Sequence, residues 1–249
     1  GIDISPYRLV ATAHSHESAA RFIALCRSGE IEALMNGSLH TDELMHEVIN
    51  PDTGLRTARR VSHVFLMEVS TYPKLLLTID AAINICPTLV DKIDIVQNVI
   101  DLAHVLGITQ PKVAILSAVE TIDPKLQSTV EAAVLCKMAD CGQITGAIVD
   151  GPLALDTAID VEAARIRGLV SAVAGEVDIL MVPDLESGNI LSKLLEYLAN
   201  AKAAGIVLGA RVPIILTSRA DNPETRLASC AVAAKLVHVR RQSMAGTLH

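Results

Sequence analysis

Four short stretches of this chain carry side chains able to do chemistry. In Leu216-Thr217-Ser218-Arg219-Ala220-Asp221 an apolar run delivers a hydroxyl and a guanidinium side by side. A guanidinium grips phosphate through two parallel hydrogen bonds, and a serine hydroxyl donates to negative charge as it develops. Ser218 and Arg219 are therefore candidate catalytic residues acting on an anion. Ser218 as a helix cap beside a solvated Arg219 accounts for the same residues, and both readings stay open. In Val182-Pro183-Asp184-Leu185-Glu186-Ser187-Gly188-Asn189-Ile190 a strand ends at Val182 and a helix is expected to begin near Gly188 or Asn189. Gly188 lets a ligand approach the backbone, free N–H groups at a helix start cradle anions, and Ser187 and Asn189 add side-chain donors. An ordinary capped helix start is the competing account, since one glycine in such a setting is a weak motif.

The third stretch is Val149-Asp150-Gly151-Pro152, read as a strand end followed by a sharp turn. Asp150 is a candidate base or orienter of Arg219; the commoner role of such an Asp is to stabilise the turn itself. The fourth joins Asn36-Gly37-Ser38-Leu39-His40-Thr41 to Arg56, Arg59 and Arg60 and then Ser62-His63. Ser38 and Ser62 with three arginines can hold phosphate or the phosphates of a larger ligand, although such clusters are more often a solvated face. Other chemistries find no support. The histidines lack metal-ligand spacing with an acidic or cysteine partner, so no metal site is expected. No glycine-rich dinucleotide motif, serine elbow or Walker motif occurs, and no cysteine has a paired histidine.

These groups need a frame. The 249 residues are 51% apolar, with no Trp, two Phe and three Tyr. A core of Ala, Val, Ile and Leu suits a parallel sheet covered by helices on both faces. With 20% charged residues and a net charge of −7, the chain is not a nucleic-acid binder, and any phosphate must be met by local donors. Five cysteines (Cys26, Cys86, Cys136, Cys141 and Cys230), odd in number and without C-x-x-C spacing, suggest a reduced, cytoplasmic protein. No uncharged apolar run approaches the roughly 18 residues of a membrane span.

Short apolar runs alternate with amphipathic stretches, the pattern of an α/β fold. Strands are expected at Leu9–Ala13, Glu32–Met35, Val113–Leu116, Gly146–Val149, Ile179–Val182, Gly205–Leu208 and Ile214–Leu216. Val61–Val69 and Lys74–Ile79 lie too close together for a parallel crossover and are expected to form an antiparallel hairpin. Helices are expected at Glu17–Arg27, from a Thr41 cap to Val48, and at Ile93–Leu106, Leu126–Met138, Ile159–Gly168, Ile190–Ala199 and Pro223–Val237.

With these stretches assembled, the chain resembles the phosphate acetyl/butyryltransferase family. The likeness rests on Asp178 through Ile190, Lys193-Leu194-Leu195, Ala203 through Gly209, Leu216 through Arg219, Leu116-Ser117, Asp80 through Asn84 and Asp150-Gly151, all in matching order. Val212 through Asp221 is closest to the butyryl branch and to the transferase part of bifunctional enoyl-CoA hydratase/phosphate acetyltransferases.

The resemblance implies two α/β/α domains like those of isocitrate and isopropylmalate dehydrogenases, with a largely parallel sheet, paired as a homodimer. Residues 1–70 with 212–249 would form one domain and 71–211 the other. It implies acyl exchange between coenzyme A and inorganic phosphate in a ternary complex, with coenzyme A as substrate and no cofactor. Ser218 would stabilise the coenzyme thiolate and Arg219 would hold phosphate. The chain departs from the family at Thr225, where acetyltransferases carry an Asp proposed as thiol base, and at Asn36, where butyryl-branch relatives carry Lys. The family's first strand-helix units have no counterpart before Gly1, so a longer native protein is expected. An acyl-carrier-protein:phosphate acyltransferase and a non-catalytic acyl-CoA-binding or oligomerisation module are the rival readings.

Overall fold

The computed structural model describes residues 3–216, 218 and 221–246. The helices are α1 (Ser15–Arg27), α2 (Thr41–Val48), α3 (Leu89–Val105), α4 (Gln127–Asp140), α5 (Leu155–Ile159), α6 (Val161–Ile166), α7 (Leu185–Tyr197) and α8 (Pro223–Gly246). The strands are β1 (Leu34–Met35), β2 (Ser62–Glu68), β3 (Leu75–Ile79), β4 (Lys112–Leu116), β5 (Ile148–Leu153), β6 (Ile179–Met181), β7 (Lys202–Leu208) and β8 (Ile214–Ile215). They form one sheet in the order β1-β8-β7-β2-β3-β6-β4-β5. Both flanks are parallel: β1 with β8 on one side, and β3, β6, β4 and β5 on the other. The centre is antiparallel, with β2 between β3 and β7 and with β7 against β8. The β2–β3 hairpin is the one expected from its short connection.

Alternation along the strands sends side chains to two covered faces. Val64, Leu66, Leu77, Ile79, Ile179 and Ile206 pack with Ile95 and Val99 of α3 and Leu236 of α8. On the other face Leu76, Leu180 and Val182 meet Leu191 and Leu195 of α7. Farther along the sheet, Val207 and Ile214 meet Ile23 of α1 and Leu44 and Val48 of α2. Each such side chain, fully buried, contributes about 1.5–3 kcal/mol of transfer free energy. Helix α3 is fixed at its start by a reciprocal cap, in which the Thr88 hydroxyl accepts from the Asp91 N–H and the Asp91 carboxylate accepts from the Thr88 N–H.

Several expected boundaries move. Leu9–Ala13 is not a strand; its apolar run finds no neighbouring strand to pair with. His40, not Thr41, occupies the cap position of α2. Helix α3 begins four residues before Ile93, at Leu89, because Thr88 supplies the cap. The helix expected over Ile159–Gly168 is broken at Asp160, whose extended backbone ends α5 and whose side chain accepts from the Ala163 N–H to start α6. Strand β5 runs on through Gly151 and Pro152 to Leu153 instead of turning after Val149. It is the edge strand, where a residue without an N–H is tolerated.

Candidate active site

Strands β1 and β8 are parallel, with Leu34 beside Ile214 and Met35 beside Ile215. The N–H of Asn36 donates to the Ile215 carbonyl at 2.9 Å, so the two chains leave the sheet together. Ser38 and Ser218 each lie three residues past the last paired position. Two of the four stretches singled out in the sequence thus converge at one end of the sheet.

The Ser218 turn is closed on itself. The Ser218 N–H donates to the Asp221 carboxylate at 2.7 Å and the Asp221 N–H donates back to the Ser218 carbonyl at 3.1 Å. The cap of α8 is instead Asn222, whose Oδ1 accepts from the Thr225 N–H at 2.8 Å. Ser218 therefore does not serve as the cap of the next helix, and its side chain is exposed. Arg219 and Thr217 lie outside the described residues.

Beneath this turn sits His63, which the sequence marked only as the neighbour of Ser62 in the fourth stretch. It lies on β2, is 1% exposed, and reaches across β7 to bond the backbone of Leu216. It can cross because β7 carries Gly205 there: a Cβ at that position would stand 2.9 Å from His63 Nε2 and 3.2 Å from Cε1. Nδ1 has no partner among the described residues, so the bond to the Leu216 carbonyl is donated by Nε2–H. Burial pushes the imidazole down to about 4, against the opposing effect of the Leu216 bond. The ring is neutral at physiological pH and pins the carbonyl two residues before Ser218. Phe65 holds it edge-on, with ring centroids 4.4 Å apart.

The start of β1's exit loop is also fixed. Asn36 is buried and its Nδ2 donates to the Leu39 carbonyl at 3.2 Å, while its Oδ1 has no partner among the described residues. From the opposite side, Lys193 of α7 faces the Ser218 turn closely enough for the Asp221 charge to act on it. Its ammonium bonds Glu196 at 2.9 Å and lies 5.4 Å from the Tyr197 ring centroid. Partial burial works against its charge, but the Glu196 bond and the neighbouring negative groups outweigh this and raise its pKa. Lys193 was legible in the sequence only as part of a family string, since a lysine on an amphipathic helix looks like any solvated charge.

The remaining candidates fall elsewhere. Helix α7 begins at Leu185, not near Gly188, because Asp184 caps it by accepting from the Ser187 N–H at 2.8 Å. The Ser187 hydroxyl turns back to the same carboxylate at 2.8 Å. The Gly188 N–H donates to the Asp184 carbonyl at 3.2 Å, within the helix, and is not a free anion donor. A Cβ on Gly188 would stand 2.7 Å from Val182 and 3.0 Å from Ala81, so this glycine is needed for close packing of the helix. Asn189 donates to the Ala81 carbonyl at 3.3 Å.

Ser62 is fully buried on the face opposite His63, where its hydroxyl accepts from Asn98 of α3 at 3.0 Å. It is sealed from any substrate in this arrangement, whereas its neighbour faces the site, because side chains alternate along a strand. Arg59 pairs with Asp101 at 2.6 Å and Arg60 bonds Asn84 at 2.7 Å, so both arginines tie β2 to neighbouring segments. Asp150 lies on edge strand β5, six strands from β8, or about 29 Å along the sheet. Its carboxylate accepts from the Gly151 N–H at 2.8 Å, and it does not meet the Ser218 turn.

The profile of the family described as "Phosphate acetyl/butaryl transferase" matches residues 11–234. The chain belongs to the phosphate acetyl/butyryl transferase family. It is 60% identical to a phosphate acetyltransferase of Rhizobium meliloti over 96% of this chain and 76% of that protein. It is 43% identical to a phosphate butyryltransferase of Clostridium acetobutylicum over 94% of this chain and 78% of the relative. A branched-chain phosphotransacylase from Enterococcus faecalis superposes with a TM-score of 0.85 at 34% identity, covering 93% of this chain and 83% of that one. A 4-hydroxythreonine-4-phosphate dehydrogenase from Klebsiella pneumoniae, 14% identical with a TM-score of 0.51 over 89% of this chain and 70% of that one, shares the fold. The dehydrogenase-like α/β architecture expected from the sequence is thus found in the family member. Among the described residues no helix is long and apolar enough to cross a membrane.

Proposed function

We propose that this transferase exchanges a short acyl group between coenzyme A and inorganic phosphate where the Ser38 and Ser218 loops leave the sheet. The observation that carries the reading is the joint exit of β1 and β8, with His63 holding the Leu216 carbonyl behind it. In this reading Ser38 and Arg219 hold the phosphate, and Ser218 serves the sulfur of the thioester. A phosphate oxygen attacks the thioester carbonyl carbon, a tetrahedral oxyanion forms, and the carbon–sulfur bond breaks with its electron pair going to sulfur. Ser218 donates to that sulfur as charge arrives, and a proton then completes the thiol. Holding both reactants in line is worth on the order of 7–11 kcal/mol of the barrier. An oriented donor to the developing anion adds about 3–4 kcal/mol.

The carboxylate that family acetyltransferases place at the Thr225 position is replaced here, and Asp221, bonded to the Ser218 N–H, is the acidic group in the same turn. Residues 1–70 with 212–249, and residues 71–211, are proposed as two lobes around the site; the apolar cluster under α7 draws on the second alone, while one sheet and its largest apolar cluster join the two. A homodimer is proposed from α7, whose Ile190, Leu194 and Leu198 form an exposed apolar stripe. A reduced, cytoplasmic setting fits the five cysteines, of which Cys26 is buried with its thiol pushed up to about 11 by burial.

The test is release of free thiol from acetyl-, propionyl- and butyryl-CoA. Phosphate-dependent release with matching acyl phosphate formation is the expected result. Release that proceeds equally without phosphate, or none with any of the three, rejects the reading.

A further inference from the structure

Directly after the Ser218 turn, the first two turns of α8 wall a cavity of about 620 Å³. Its lining is mostly apolar, with Leu66 of β2, Ala204 of β7, Leu106 at the end of α3, and Ala228 and Val232, one turn apart on α8. The polar groups among the lining residues include Glu68, Glu196, the Lys202–Glu224 pair at 3.3 Å, and Thr225, whose N–H is already bonded to Asn222. The size is that of an ordinary small-ligand pocket.

We infer that this cavity receives the acyl chain of the thioester and sets which chain lengths are turned over. The inference rests on the acyl-transfer reading above. Three observations carry it. The Ser218–Asp221 turn is closed by its own hydrogen bonds, which keeps Ser218 within about 7 Å of Asp221, and the next residue, Asn222, is on the cavity rim. Lys202 is the one cation among the described lining residues and is paired with Glu224, and Glu68 and Glu196 add negative charge, so the cavity suits an alkyl chain and repels a phosphate. Its volume of about 620 Å³ leaves room beyond what an acetyl group needs.

A hydrophobic pocket discriminates about 10-fold or more per methylene that it accepts or excludes. The experiment measures kcat/KM for acetyl-, butyryl- and hexanoyl-CoA with saturating phosphate in the wild type, Ala228→Leu and Leu106→Ala. Wild type is expected to turn over butyryl-CoA at least as well as acetyl-CoA. Ala228→Leu, which narrows the cavity from α8, is expected to cut the butyryl-to-acetyl ratio about 10-fold or more while acetyl-CoA stays within about threefold. Leu106→Ala enlarges it at the end of α3 and is expected to raise the hexanoyl-to-acetyl ratio about 10-fold.

Ratios unchanged in both variants overturn the inference, as does a wild type that uses acetyl-CoA and refuses butyryl-CoA. If Ala228→Leu is not recovered folded, the hexanoyl-to-acetyl ratio of Leu106→Ala decides, with Val232→Ala as a second enlargement of the same cavity. No phosphate-dependent turnover of any thioester by the wild type is a different result: it rejects acyl transfer itself, and the pocket with it.

Discussion

His63 is the side chain whose removal tests the architecture of the site most directly. Its folded pKa is depressed to about 4, mainly by burial, from an unfolded value near 6.5. The sign follows from proton counting. Below pH 6.5 the unfolded chain takes up a proton that the folded chain refuses, so stability rises with pH through this window and is lost as pH falls toward 4. A depression of about 2.5 units corresponds to about 3.4 kcal/mol once both states are protonated. The same linkage gives a loss of about 1.4 kcal/mol at about pH 5.5 and about 2.6 kcal/mol at about pH 4.5.

His63→Gln keeps a neutral donor near the Nε2 position and has nothing to titrate. The assay is urea denaturation of wild type and His63→Gln from about pH 7.5 to 4.5, with the stability difference plotted against pH. The difference should narrow by about 2.6 kcal/mol across that range, since the acid-labile part belongs to the wild type alone. His63→Leu, lacking any donor, should also lower turnover about 10-fold, with His63→Gln recovering most of it, because a donor to the Leu216 carbonyl steadies the Ser218 turn. A pH-independent difference between wild type and His63→Gln refutes the buried neutral imidazole. Equal turnover of the Gln and Leu variants refutes its role in positioning.

Replacing Ser218 with Ala should lower kcat roughly 10²–10³-fold while leaving the KM for phosphate nearly unchanged in steady-state assays, since the role proposed for the hydroxyl is on charge that appears only in the transition state. Arg219→Ala should raise the KM for phosphate and lower turnover, and Arg219→Lys should rescue little, because one ammonium does not reproduce a two-pronged contact. Lys92 is buried and pairs with Glu131, so Glu131→Gln should cost about 3–5 kcal/mol in denaturant melts while the joint replacement Lys92→Met with Glu131→Leu costs much less. Gly188→Ala should destabilise by about 1–3 kcal/mol through overpacking against Val182 and Ala81, measurable as a lower melting midpoint.

The elements that carry the site were legible in the chain because their signals are local. The strands Lys112–Leu116 and Ile179–Met181 fall where short buried runs were expected, Lys202–Leu208 starts three residues before the expected Gly205, and the brief link between β2 and β3 admits only an antiparallel return. The hydroxyl–guanidinium pair of Ser218 and Arg219 is a candidate for anion chemistry by residue type alone. Helix starts were less legible, since Thr88 and Asp184 act as caps through side-chain geometry that many Thr and Asp residues never adopt.

What the chain could not disclose is which stretches meet. Ser38 and Ser218 are 180 residues apart and become neighbours only because β1 inserts parallel to β8 at the sheet edge. Asp150 and Ser187 have the same kind of strand-end signature, but strand order and capping direct them elsewhere. Ser62 and His63 are adjacent in sequence, yet the period of two along β2 hides one under α3 and sends the other across Gly205 to the Leu216 carbonyl. Composition and local pattern determined the α/β class and the residue types able to bind an anion, because those depend on side-chain chemistry and short-range spacing. Strand order and register decided which of them come together, because pairing between distant strands is fixed by the packing of the whole sheet.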